Sequence, residues 1–177
     1  MSTILAFGAS TSSKSINQKL ASYTVEQLND VDANIVDLND FEMPIFSVDR
    51  EQQNGIPPQA LHFKEMIKAA NGIIISFAEH NGSFSAAFKN ILDWTSRIEK
   101  SMWNQKPMFL MATSPGGRGG SSVLETAVTR FPYMDARVVA QFSLPSFHQN
   151  FGAQGILDEQ LKQEWHKQLE LFETTIY

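Results

Sequence analysis

The 177 residues are 42% hydrophobic and 19% charged, with a formal net charge of -5 and no cysteine. This composition is globular rather than disordered, and the length fits one domain, residues 1–177, that buries a core without disulfides or a structural metal. Fourteen Lys and Arg residues without a basic run argue against a nucleic-acid partner. No stretch approaches the run of about 18 apolar residues that a membrane helix needs. The N-terminus, MSTILAFGAS, lacks the basic region of a signal peptide, and the absence of cysteine suits a reducing compartment; the expectation is a cytoplasmic protein without a membrane partner.

Short apolar runs alternate with helix-period stretches along the chain, the pattern of βαβ units around a parallel sheet. Strands are predicted at Thr3–Phe7, Ala33–Asp37, Gly72–Phe77, Pro107–Thr113 and Arg137–Ser143. The third reads GIIISF, the unbroken apolar run of a central parallel strand. Helices are predicted at Ser15–Leu28, Pro57–Ala70, Ser85–Ile98, Ser121–Met134 and Asp158–Phe172. The first opens on Ser15-x-x-Gln18, a capping-box pattern, and the second sits behind two prolines that suit a first helical turn. In the third, Phe84, Phe88, Ile91, Leu92 and Thr95 share the face toward the sheet, while Lys89, Asp93 and Arg97 form a solvated charge ladder. Leu38–Ile56 and Leu144–Leu157 read as long irregular loops of the kind that act as lids. No repeat or interdomain linker appears. The fold class is α/β, a three-layer sandwich of five parallel strands in the order 2-1-3-4-5 with helices on both faces.

In such a sheet, ligands bind outside the carboxyl ends of the strands where strand order reverses. The loops there read GASTSSKSIN after strand one, AEHNGSFS after strand three and SPGGRGG after strand four. A helix N-terminus offers unpaired N–H groups and partial positive charge, so the hydroxyls of Ser10, Ser12 and Ser15 and the amide of Asn17 are placed to wrap a phosphate as neutral donors. Each serine taken alone also has a plain structural role, as a cap or a solvated hydroxyl.

Other chemistries do not match. Gly8 is the only glycine of the first loop, so both the Walker and the dinucleotide fingerprints are absent. Phe7-Gly8 and Phe77-Ala78 stand where a response regulator needs acidic residues, and Gly8-Ala9-Ser10-Thr11-Ser12 lacks the final glycine of a nucleophile elbow. Among His62, His80, His148 and His166 there is no zinc spacing; His62 and His166 fall in predicted helices and read as surface residues, which leaves His80 as the histidine nearest the site. A phosphate cradle facing two loops rich in Gly, Asn and Ser suits a planar ring on a phosphorylated arm. Backbone groups of Glu79–Ser83 and Ser114–Arg118 are placed to meet the ring edges, a description that flavin mononucleotide (FMN) fits.

These loops resemble those of the NADPH-dependent FMN reductases, flavodoxin-like proteins that include quinone, chromate and azo-dye reductases. The family form G-S-x-R-x-x-S-x-N is matched by Ala9 to Asn17, and P-E-Y-N-x-S with K-N-x-x-D-W by Ala78 to Ser83 and Lys89 to Trp94; the glycine-rich third loop is matched by Thr113 to Gly120. The resemblance implies an FMN-dependent oxidoreductase that takes electrons from NADPH or NADH and passes them to a small-molecule acceptor. Ser10, Ser12, Ser15, Ile16 and Asn17 would hold the phosphate. Glu79, His80, Asn81, Gly82, Ser83, Ser114, Pro115, Gly116, Gly117 and Arg118 would line the ring, with no catalytic side chain and no metal. It also implies a homodimer or homotetramer with the flavin near the interface, to which Trp94 and Trp103 either belong or else pack locally. Three positions depart from the family form, Ser12 for arginine, His80 for tyrosine and Ala78 for proline. The alternatives are a flavodoxin-type electron carrier, which the mild acidity does not favour, and a binding module on the same fold that has lost flavin.

Overall fold

The computed structural model describes residues 1–177. Its sheet contains β1 (Ser2–Ala9), β2 (Val31–Ile35), β3 (Gly72–Phe77), β4 (Pro107–Thr113) and β5 (Arg137–Leu144), all parallel, in the order β2-β1-β3-β4-β5. The fold is flavodoxin-like. β1, β3 and β4 are buried on both faces, which is why they carry the continuous apolar runs.

Successive strand residues feed opposite layers, as the two-residue period of a strand requires. Leu5, Phe7, Ile73, Ile75 and Leu110 join a cluster of 27 buried residues beneath α3 (Pro58–Ala69), α4 (Ala86–Thr95) and α5 (Ser121–Arg130). Ile4, Ala6, Ile74, Phe109 and Met111 join one of 18 beneath α1 (Ile16–Glu26) and α7 (Glu159–Ile176). α7 runs four residues past its expected end because Phe172 and Ile176 both seal the floor of the second layer, where a Cβ on Gly72 would lie 2.7 Å from each of them. No helix is long and apolar enough to cross a membrane.

Other expectations need correction. β2 lies two residues earlier than Ala33–Asp37: it is an edge strand with mostly exposed side chains, so apolar patterning does not mark it, and buried Val36 belongs to its exit, still bonding Ala6 O through its N–H at 2.9 Å. The supposed lid Leu38–Ile56 contains a 3-10 turn at Leu38–Phe41 and a short helix, α2 (Val48–Asn54). Ser47 caps α2, Gly55 ends it at φ 74°, and none of its residues is buried. Leu144–Leu157 is also ordered, as α6 (Phe147–Asn150) and the hairpin β6 (Phe151–Gly152) and β7 (Gly155–Ile156). Phe147 stacks on Phe151 with centroids 4.7 Å apart, and Tyr23 of α1 meets Phe151 edge-on at 5.4 Å. The helix expected over Ser121–Met134 tightens to a 3-10 turn at Phe131–Met134, where Pro132 removes a donor. The charge ladder on α4 is broken: Lys89 pairs with Asp93 at 2.7 Å, but Arg97 reaches across to Glu51 of α2.

Trp94 and Trp103 both pack within the chain. Trp94 is 1% exposed and donates its indole N–H to Pro44 O at 2.7 Å; Trp103 is fully buried with its ring 4.8 Å from that of Phe131. Asn90 completes the anchor: its side chain accepts from Phe46 N and donates to the carbonyls of Met43 and Pro44. The K-N-x-x-D-W stretch thus ties the segment after β2 to α4.

A buried lysine braces the run into β4. Lys64 of α3 donates from Nζ to Ser101 O at 2.6 Å, Met102 O at 2.5 Å and Asn104 Oδ1 at 2.8 Å, and pairs with Glu99 at 2.7 Å. At the other end of the sheet, Gly8 sits where α1 crosses β1. A Cβ there would overlap Gln18 N and stand 2.6 Å from Gln18 Cα. Gly8→Ala is therefore expected to lower stability by about 2 kcal/mol or more, through overpacking of a rigid crossing, read as a shifted urea midpoint at unchanged slope.

Candidate flavin site

The three loops at the carboxyl ends of β1, β3 and β4 meet in a cleft of about 270 Å³. Nine of the residues singled out in the sequence line it, namely Ser10, Ser12, Ser15, Ile16, Asn17, Glu79, His80, Ser114 and Pro115. Lys14, Ala78 and Thr113 line it as well.

Its first wall is a chain of hydroxyl turns. Ser10 Oγ accepts from Ser12 N at 3.1 Å, Ser12 O accepts from Ser15 N at 3.0 Å, and Ser15 caps α1 by accepting from Gln18 N at 3.1 Å. Only half of the capping box forms. The Gln18 carboxamide accepts instead from Gly8 N at 2.7 Å, locking the helix start to the end of β1. The backbone N–H groups of Ile16 and Asn17, first in the helix, donate to no protein acceptor, as the geometry of a helix start requires. Those two free donors, with the serine hydroxyl protons, are suited to a dianion at the positive end of the helix dipole.

Asn17 holds the cleft together through its side chain. It is 3% exposed; Oδ1 accepts from Ser76 Oγ at 2.7 Å and Thr113 N at 3.1 Å, and Nδ2 donates to Thr113 O at 3.2 Å. The amide thus ties the start of α1 to the ends of β3 and β4; its side-chain donor is spent on Thr113 O, and its backbone N–H is the donor left toward the cleft.

In the second loop, His80, Asn81, Gly82 and Ser83 close a tight turn, with paired bonds between His80 and Ser83 at 2.9 and 3.1 Å. Asn81 and Gly82 both have positive φ, 53° and 73°, which is the two-residue hairpin turn that Asn-Gly favours. His80 faces the cleft and the other three form its outer tip. The Glu79 carboxylate points away, accepting from Val123 N at 3.0 Å in the first turn of α5, whose Gly120 cap has no side chain to do so. The sequence showed the acid but not this bridge, because Val123 is 44 residues distant.

The third loop is held by its carbonyls. Ser114 O accepts from Phe147 N at 3.0 Å, and Gly116 O from Ser146 N at 2.9 Å and Gly119 N at 3.2 Å. The N–H groups of Ser114, Gly116, Gly117 and Arg118 have no protein acceptor and remain as donors. Gly116, Gly117 and Arg118 lie beyond the cleft lining, and the Arg118 guanidinium donates to Ser122 Oγ at 2.7 Å along α5. Of the remaining histidines, His62 lies exposed against the Phe41 ring at 5.9 Å and His166 is on the surface 3.3 Å from Glu170.

Strand order, a hydroxyl-rich helix start and two glycine-bearing loops converging on it define a flavodoxin-like protein. Within that class, the family model described as NADPH-dependent FMN reductase matches residues 2–149, and the chain belongs to this family. It is 31% identical over 131 residues to an NADPH:quinone oxidoreductase of Arabidopsis thaliana, covering 72% of this chain and 66% of that one. It is 29% identical over 98 residues to a quinone reductase of Escherichia coli (strain K12), 55% and 52% of the two chains, and 30% identical over 107 residues to an NADPH azoreductase of Bacillus sp. (strain OY1-2), 60% and 56%. The matched segments span about half to two thirds of these relatives' lengths. In fold, a flavoenzyme NAD(P)H:(acceptor) oxidoreductase from Paracoccus denitrificans superposes with TM-score 0.79 at 20% identity, over 99% of this chain and 97% of that one.

Proposed function

We propose that the protein is an FMN-dependent NAD(P)H oxidoreductase that reduces quinones or similar small acceptors. The observation that carries this reading is the cleft itself, where unpaired N–H groups of Ile16 and Asn17 and the hydroxyls of Ser10, Ser12 and Ser15 face two loops whose backbones are free to approach a ring. Membership of the FMN reductase family and the quinone and azo reductase relatives support it.

FMN, when bound, supplies a ring able to take hydride from NAD(P)H and give two electrons to an acceptor. The chain's part is to bind, orient and tune. Ser10, Ser12, Ser15, Ile16 and Asn17 hold the phosphate end, and backbone groups of Glu79–Ser83 and of Ser114–Arg118 meet the ring. Fixed N–H donors of the third loop stabilise negative charge at a ring edge without reorganising, because their carbonyls are already tied down to Ser146, Phe147 and Gly119. Neither step assigns an acid or base role to a side chain.

The reading includes a cytoplasmic homodimer or homotetramer. A second groove, of about 550 Å³, runs between α4 and α5, lined by Phe84, Leu92, Met102 and Met134 and bordered by Tyr133, which is 79% exposed. Ser83 belongs to this groove, so a partner seated there would stand beside the His80–Ser83 turn.

Steady-state rates with NADPH and a benzoquinone test the activity. If donor and acceptor use one ring face in turn, double-reciprocal plots at several quinone concentrations are parallel. Intersecting lines contradict that alternation, and FMN-loaded protein that turns over no acceptor contradicts the enzyme reading in favour of the electron carrier.

A further inference from the structure

Beside the flavin cleft lies a larger groove of about 630 Å³, within the range of about 300–1,000 Å³ that ligand pockets occupy. The two share a rim: Ser10, Ser12, Lys14 and Ser15 line both. The groove leads from the phosphate cradle along α1, between edge strand β2 and the β6–β7 hairpin. Lys19, Ser22, Tyr23 and Glu26 recur at i, i+3, i+4 and i+7, so a single helix face forms its floor over about 10 Å.

Its chemistry changes along that length. Lys14 and Lys19 flank the end next to the cradle. Asp37, past the carboxyl end of β2, also borders that end, since Asn39 Nδ2 donates both to its Oδ1 at 2.8 Å and to Thr11 O at 3.2 Å. Beyond it Tyr23, Phe151 and Ile35, the last 41% exposed, give an apolar wall, and Glu26 offers a carboxylate at the far end. Gly155 lets the hairpin lie against the Tyr23 ring, which a Cβ there would meet at 2.2 Å. Cationic groups with a carboxylate beside them, then an apolar wall, then a second carboxylate suit a diphosphate and ribose hydroxyls, then a purine with its exocyclic amine outermost.

We infer that this groove receives the adenylate half of FAD, whose diphosphate starts at the Ser10–Ser15 cradle, so that the protein binds FAD as well as FMN. The inference rests on the placement of the flavin phosphate in that cradle. FMN leaves the groove empty, while in FAD the adenosine is covalently continuous with the group the cradle holds, so no second binding event is needed.

Fluorescence-quenching titrations of apoprotein with FMN and with FAD, on wild type and Ser22→Trp, test it. Ser22 makes no side-chain hydrogen bond, and an indole there fills the floor of the groove without entering the flavin cleft. The expected result is an FAD Kd within about tenfold of that for FMN, raised about tenfold by Ser22→Trp while the FMN Kd moves less than about threefold. FMN binding with FAD weaker by more than that, or FAD binding indifferent to Ser22→Trp, overturns the inference and leaves the FMN site standing. Loss of both flavins alike in a folded Ser22→Trp protein also overturns it, and wild type that binds neither flavin overturns the site itself.

Discussion

Asn17→Ala is expected to cost about 3 kcal/mol of folding stability and to weaken FMN binding by about tenfold or more, although the side chain itself faces the sheet. Ser76 Oγ, Thr113 N and Thr113 O each lose a buried partner, and no solvent reaches them to compensate. The same three bonds hold the start of α1 against the ends of β3 and β4, so losing them loosens the angle between the phosphate cradle and the two ring loops. Urea unfolding and an FMN titration check the two effects separately. A variant with normal affinity and lowered stability would show that the cleft keeps its shape without this tie.

Lys64→Met is expected to have a comparable effect far from the cleft, about 3 kcal/mol, because it removes the cation while leaving two backbone carbonyls, Asn104 and Glu99 around the gap. The stability should also change its pH dependence. Hydrogen bonds from Lys64 and Asn104 hold the Glu99 carboxyl down to about 2, against an ordinary value of 4.5. A carboxylate lowered on folding stabilises the native state above its unfolded value, and that contribution disappears as pH falls from 4.5 through 2. Lys64 is pushed below the ordinary lysine value because its burial outweighs the pull of Glu99, so its charge opposes folding until alkaline pH removes it. In Lys64→Met the acid slope between pH 4.5 and 2 should flatten, as seen in denaturation midpoints across that range. An unchanged slope would mean that Glu99 is held by Asn104 and by Lys68, 3.7 Å away, without Lys64.

The central architecture was legible because burial on both faces leaves an unmistakable record: β1, β3 and β4 are unbroken apolar runs, and the loops that follow them are fixed in place once the strand order is known. What was not legible lacked a burial signal or depended on distant partners. β2 is exposed along most of its length, and α2 buries nothing, so only Ser47 and Gly55 mark its ends. The hairpin at Phe151–Ile156 is set by aromatic packing on Tyr23, which local spacing does not encode. In the site, sequence identified nine of the residues lining the cleft but not the direction of their side chains. Asn17 and Glu79 turn away to tie elements together, because each meets a partner far along the chain, Thr113 and Val123. Lys14, the one charge in its loop, was visible, but its place on the rim between two cavities follows only from how α1 lies against β2 and the hairpin.

The most direct test is the absorption spectrum of protein incubated with FMN, freed of excess flavin, and then given NADPH without oxygen. A retained flavin spectrum that bleaches on NADPH addition is the predicted result. A colourless protein after removal of free FMN would contradict the assignment of the cleft, and retained flavin that NADPH leaves oxidised would contradict the reductase.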